Sequence, residues 1–130
     1  MNGKSRIDPA LVEEFVGKAH GDLTRVKELL VQEPALLNAS WDWGEGDWET
    51  GLGAAAHMGR RDIAEFLLDR GARMDIFAAA MLGHLDIVRA IIAGCPASQT
   101  APGPHGIPLI RHATAGGERA RSVVEYLESL

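Results

Sequence analysis

WETGLGAAAHMGRRDIAEFLLDRGARMD, residues 48–75, decides the fold, because it contains two short helical patterns in immediate succession. Thr50 begins the first, a small-residue run through Ala54, Ala55 and Ala56 that stops at Gly59, a residue able to take positive φ at no steric cost. Ile63, Phe66, Leu67 and Leu68 fall at helical spacing in the second, and Arg70 and Gly71 end it with a cation in the last turn and a glycine stop. The unit is helix, tight turn, helix, loop.

The same unit recurs outward in both directions. Upstream, Asp8-Pro9 starts a helix, with Asp8 as cap and Pro9 at the first helical position. After Gly21, an apolar stripe of Leu23, Val26, Leu29 and Leu30 is closed by Pro34. Downstream, Ala78 to Gly83 repeats Ala54 to Gly59, and Ile87, Val88, Ile91 and Ile92 repeat the second helix, with Asp75 expected as the cap. Gly59 and Gly83 stand only 24 residues apart, so the connection between these two units is expected to be cut to almost nothing, whereas Gly83 and Gly116 stand 33 apart. Residues 97–104, with Pro102, Gly103 and Pro104, read as a loop, and Ser122 to Leu130 as a closing helix with Val123, Val124, Tyr126 and Leu127 turned inward.

Thr50, Leu52, Ala55, Ala56, Gly59, Ile63, Leu67, Leu68, Gly71, Ala72 and Asp75 sit where the ankyrin repeat asks for them, and the chain resembles that family over nearly its whole length. Gly51 and Gly53 depart from the proline and histidine of its T-P-L-H-x-A pattern, while Pro108 and Leu109 restore part of it in the last unit. The resemblance implies an all-α solenoid of stacked helix-turn-helix units, a single domain over 1–130 with repeats at about 8–40, 41–74, 75–97 and 98–130. It also implies a protein-binding role, with a concave face lined by Ala19, His20, His57, Met58, Met81, Leu82, Thr114 and Ala115.

Composition narrows the partners. The chain is 130 residues, 46% hydrophobic and 24% charged, which suffices for a continuous core. It contains no run approaching the ~18 apolar residues of a membrane span, and Met1 to Asp8 lacks the apolar centre of a signal peptide. The single cysteine, Cys95, makes no internal disulfide and suits a reducing, cytoplasmic setting. A net charge of -5 without a basic stripe argues against nucleic acid.

The segment SWDWGEGDWET, residues 40–50, holds all three tryptophans and the acids Asp42, Glu45, Asp47 and Glu49, and no Lys or Arg falls between Lys27 and Arg60. Two readings of it stand side by side. In the first, the tryptophans form a structural lid over the end of the shortened third unit and the acids solvate a loop. In the second, Trp41, Asp42, Trp43, Glu45, Asp47, Trp48 and Glu49 form a recognition site for a basic partner or a cation held over an indole, joined by His20, His57, Met58, Met81 and Leu82. The principal expectation is a noncatalytic protein-binding module with a basic or cationic partner. The alternative is a small-molecule or acid/base site enclosed by Trp41, Trp43 and Trp48, with His57 paired to Asp47 or Glu49. His105 and His112 come from the fourth unit and extend that alternative, whereas His84 reads as a structural turn residue. No zinc-protease, serine-elbow or phosphate-loop pattern is present, so the sequence nominates no catalytic residue, no metal ligand and no cofactor.

Overall fold

The computed structural model describes residues 3–130, and the chain is mostly helical. Its elements are α1 (Pro9–Lys18), α2 (Leu23–Gln32), β1 (Ser40–Asp42), β2 (Trp48–Thr50), α3 (Gly51–His57), α4 (Arg61–Asp69), α5 (Ile76–Leu82), α6 (Leu85–Gly94), α7 (Leu109–Ala115) and α8 (Arg121–Glu128). Short 3-10 turns at Pro34–Asn38, Pro96–Gln99, Pro104–Gly106 and Gly117–Ala120 fill the connections, so the segment read as a plain loop after residue 96 carries two of them. No helix among the described residues is long and apolar enough to cross a membrane.

The helices pack as pairs, α1 with α2, α3 with α4, α5 with α6 and α7 with α8. Asp8 and Asp75 cap their helices as the sequence suggests, and Asp22 and Thr50 cap two more: each accepts a backbone N–H of the first turn, at 2.8–3.0 Å. One polar pair supports the first unit, where Arg25 donates to Glu14 at 2.7 and 3.2 Å. The finger between the first two pairs is a small antiparallel hairpin in the register Ser40↔Thr50, Trp41↔Glu49 and Asp42↔Trp48.

Helix α5 is the centre of the molecule. Ala78, Met81 and Leu82 belong to one apolar cluster with α1 to α4, while Ile76, Ala79 and Ala80 belong to a second with α6 to α8. Small side chains let α5 lie close to α3 on one side and α7 on the other, and α7 also touches α3. The second and fourth units therefore also touch, in addition to the contacts between sequence neighbours. The short connection at residues 72–75 curls the fourth unit back toward the second.

Two turns interlock at this point. Gly83, at φ 81°, ends α5 in the left-handed region, and a Cβ there would stand 2.1 Å from the Arg119 carbonyl oxygen. Gly116 occupies the equivalent sequence position in the fourth unit, yet its φ is -75° and the left-handed residue is its neighbour Gly117. Gly116 is required for a different reason: a Cβ on it would lie 2.0 Å from the Met81 carbonyl oxygen. Met81 and Leu82, expected on an open concave face, are consequently covered, at 0% and 4% exposure.

Gly116→Ala should therefore lower the urea midpoint by an amount equivalent to about 1–3 kcal/mol, because backbone must move to admit the methyl group. Gly94→Ala, at the exposed end of α6 where a Cβ meets nothing within 4 Å, should leave the midpoint unchanged or raise it by about 0.4–1 kcal/mol. Equal midpoints for the two variants would show that the turn at residues 115–120 does not lie against α5.

Candidate functional site

The finger's acids serve four different purposes. Asp42 Oδ1 accepts the Gly44 and Gly46 N–H groups at 2.9 and 3.0 Å and so shapes the turn, while Glu45 projects into solvent from a left-handed backbone, φ 55°. Asp47 reaches across the molecule to the turn at residues 104–106. Glu49 points inward, because successive residues of a strand face opposite ways and Trp48 takes the solvent side. Its side chain is 0% exposed.

Three imidazoles and an indole surround that buried carboxylate. His20, just past the end of α1, brings Nε2 to 3.2 Å from Glu49 Oε1. His57, the last residue of α3, brings Nε2 to 3.0 Å from Oε2. His105 brings Nε2 to 3.3 Å from Oε1, and the Trp43 indole N–H donates to the same oxygen at 2.9 Å. The ring centroids of His57 lie 4.9 Å from those of His20 and 5.2 Å from those of His105.

The far nitrogens of two rings are fixed by acceptors. His20 Nδ1 lies 3.0 Å from the Val16 and Gly17 carbonyl oxygens, which only accept, so Nδ1 carries a proton. His105 Nδ1 lies 2.7 Å from Asp47 Oδ2, and the His105 backbone N–H donates to Asp47 Oδ1 at 2.7 Å. That double grip holds His105 at φ 61°, a left-handed conformation uncommon outside glycine. By contrast, Glu49 Oε2 and His57 Nε2 are buried and neither is in a hydrogen bond, although they stand 3.0 Å apart.

Electrostatics follow from this packing. Burial by itself pushes the Glu49 carboxyl up, but His20, His57 and the Trp43 N–H together outweigh it and hold the carboxyl well below the usual range. Glu49 raises His20 above the ordinary imidazole value against the opposing effect of burial. Asp47 is lowered, first by the His105 backbone N–H. His112 stands apart from this group: it is fully buried against Phe77, donates Nδ1–H to the Pro108 carbonyl at 3.0 Å, and is lowered by burial.

The sequence candidates are thus sorted by position. His20, His57, Trp43, Asp47 and Glu49 come together, and His57 faces Glu49, one of the two carboxylates that the acid/base alternative names for it. Trp41 packs on the first apolar cluster, and the Trp43 ring tip approaches Gly17 of α1. Trp48 and Met58 are exposed, at 60% and 52%, whereas Met81, Leu82 and Ala19 are core. The sequence nominated no metal ligands; the structure brings together a group that could hold an ion, since one atom each from His20, Glu49, His57 and His105 lie within 4.8 Å of one another. His105 is the member that sequence reasoning left without a partner, and its only local signal is the Gly103-Pro104-His105-Gly106 turn. No protein-family model matches the chain, and no curated protein does either.

The His20–Glu49 contact has a definite sign. A raised imidazole value means that the contact contributes stability below about pH 6.5 and loses that contribution as pH rises through the raised His20 value. In buffer stripped of multivalent ions, NMR titration should place the His20 midpoint above the ordinary value in the parent and lower in Glu49→Gln. Identical His20 midpoints in the two proteins would mean that the ring does not face the carboxylate.

Proposed function

We propose that this chain is an ankyrin-type helical stack that works as a binding module, and that its binding centre is the cluster of side chains around the Glu49 carboxylate, between the finger and the 104–106 turn. The ligand class is a small cation. The observation that carries this reading is the fully buried Glu49 carboxylate, with imidazole nitrogens from three separate segments directed at it. A buried anion ringed by nitrogen lone pairs and N–H groups is a poor structural filler, since apolar residues of the same volume do that more cheaply.

An open face for a protein partner has less support, because Met81 and Leu82 are core and three of the four finger acids are engaged within the fold. Of that surface, Trp43, Glu45, Trp48, Met58, Thr114 and Ala115 remain exposed. An acid/base reaction is weaker still as a reading, since the candidate pair His57 and Glu49 is shut away, with side chains 11% and 0% exposed.

The test is a thermal-shift panel on the parent and Glu49→Gln, with alkali, alkaline-earth and transition-metal ions, alkylammonium and guanidinium as probes. At least one cation should raise the parent melting temperature by several degrees and leave Glu49→Gln unmoved, because a ligand bound only by the folded state stabilises it by mass action. A parent indifferent to every cation would refute the reading.

A further inference from the structure

We infer that the cation is a divalent first-row transition-metal ion of the zinc class, held by His20 Nε2, His57 Nε2, His105 Nε2 and a Glu49 oxygen, and that it fastens the fourth unit to the first two. This inference rests on the cation-binding reading above and names the ligand for the same site.

Hydrogen-bond direction is the first support. His20 and His105 each carry a proton on Nδ1, fixed by the Val16 and Gly17 carbonyls and by the Asp47 carboxylate. In the neutral rings, Nε2 of both is therefore a lone pair directed at Glu49 Oε1, 3.2 and 3.3 Å away, where a carboxylate oxygen offers another. Protonating both rings would remove that conflict only by placing two imidazolium ions on one carboxylate oxygen, with their ring centroids 6.2 Å apart. A single divalent ion accepts all the lone pairs at once. It also supplies a partner for Glu49 Oε2 and His57 Nε2, which are buried and lack a hydrogen bond.

Distances and donor chemistry select the class. Zinc takes imidazole nitrogen at about 2.0–2.1 Å and carboxylate oxygen at about 2.0–2.2 Å, so neighbouring donors around a tetrahedral ion stand about 3.3 Å apart. His20 and His105 Nε2 stand 3.2 and 3.3 Å from Glu49 Oε1, and His57 Nε2 stands 3.0 Å from Oε2. The four donor atoms lie within 4.8 Å of one another, a spread that one small ion can bridge. Three imidazoles with one carboxylate suit zinc and its neighbours, whereas calcium and magnesium take oxygen donors. The outer contacts agree: a carboxylate on His105 and backbone carbonyls on His20 are the partners that orient metal-bound imidazoles.

The four donors come from the end of α1, from β2, from the end of α3 and from the 104–106 turn. An ion bound to all of them joins segments that no disulfide links, Cys95 being the lone cysteine.

The full chain, dialysed against chelator and then metal-free buffer, is titrated with zinc by calorimetry and with cobalt(II) by visible absorption. The expected result is one ion per chain, with the intense bands of a four-coordinate cobalt(II) complex. His57→Gln and His105→Gln should each weaken zinc binding more than about 100-fold, and Asp47→Asn, which leaves the donors in place, by about 10–100-fold. His105 sits on an exposed turn, so its variant should keep the parent circular dichroism, which separates lost binding from lost fold. His84→Gln should bind as the parent does. Zinc affinity unchanged in both His57→Gln and His105→Gln, or no zinc binding by the parent, overturns the inference. Equal affinity for magnesium overturns the metal class. If guanidinium or an alkali ion stabilises the parent through Glu49 while zinc does not, the metal assignment falls and the cation site stands; if no cation acts, both fall.

Discussion

A carboxylate taken wholly out of water is the constraint on which this structure turns. Moving an anion into a protein interior costs several kcal/mol even after the surroundings relax, and it is tolerated only with well-placed polar partners. Glu49 has them from three directions, through His20, His57 and His105, with Trp43 above. Each of those side chains belongs to a different part of the fold. The end of α1, the finger, the end of α3 and the turn before α7 are therefore coupled through one residue, and displacing any of them leaves charge uncompensated.

That convergence depends on the short middle unit. With 24 residues in place of about 33 between its turn and the one before, the third unit has no projecting hairpin, and α5 is packed between α3 and α7 by a face of alanines. Close packing of small side chains removes the room that a longer connection would need. The fourth unit then approaches the second, Gly59 facing the Ala115 carbonyl, and the 104–106 turn comes down onto the finger. A regular stack would keep residues 47 and 105 apart.

Local chemistry was legible in the sequence, and tertiary consequences were not. Asp8 and Asp75 act as caps, and Gly59 and Gly83 follow their helices in the left-handed region, as composition and spacing indicate. The missing connection before Asp75 was visible as a count of residues. Its effect was not, because nothing local says that shortening a loop covers Met81 and Leu82 or brings His105 to Asp47. Among the four finger acids, strand alternation alone singles out Glu49 for the interior, and that rule needs the register Trp41↔Glu49 before it can be applied. Gly116 shows the same limit: its sequence position suggests a backbone role, and its actual role is to let the Met81 carbonyl approach.

The clamp between Asp47 and His105 also fixes an order of assembly. It spans 58 residues of chain, whereas the helix pairs and the hairpin close over short separations. Closing the longer loop costs more chain entropy and is rewarded only once both ends are already shaped, so local units form first and the clamp last. During synthesis the first two units emerge before the turn that completes the cluster around Glu49, and until then the inward face of the finger is hydrated. The most charged point of the interior is thus the last to dry, and the chain is committed to its final curvature only when its C-terminal quarter has arrived.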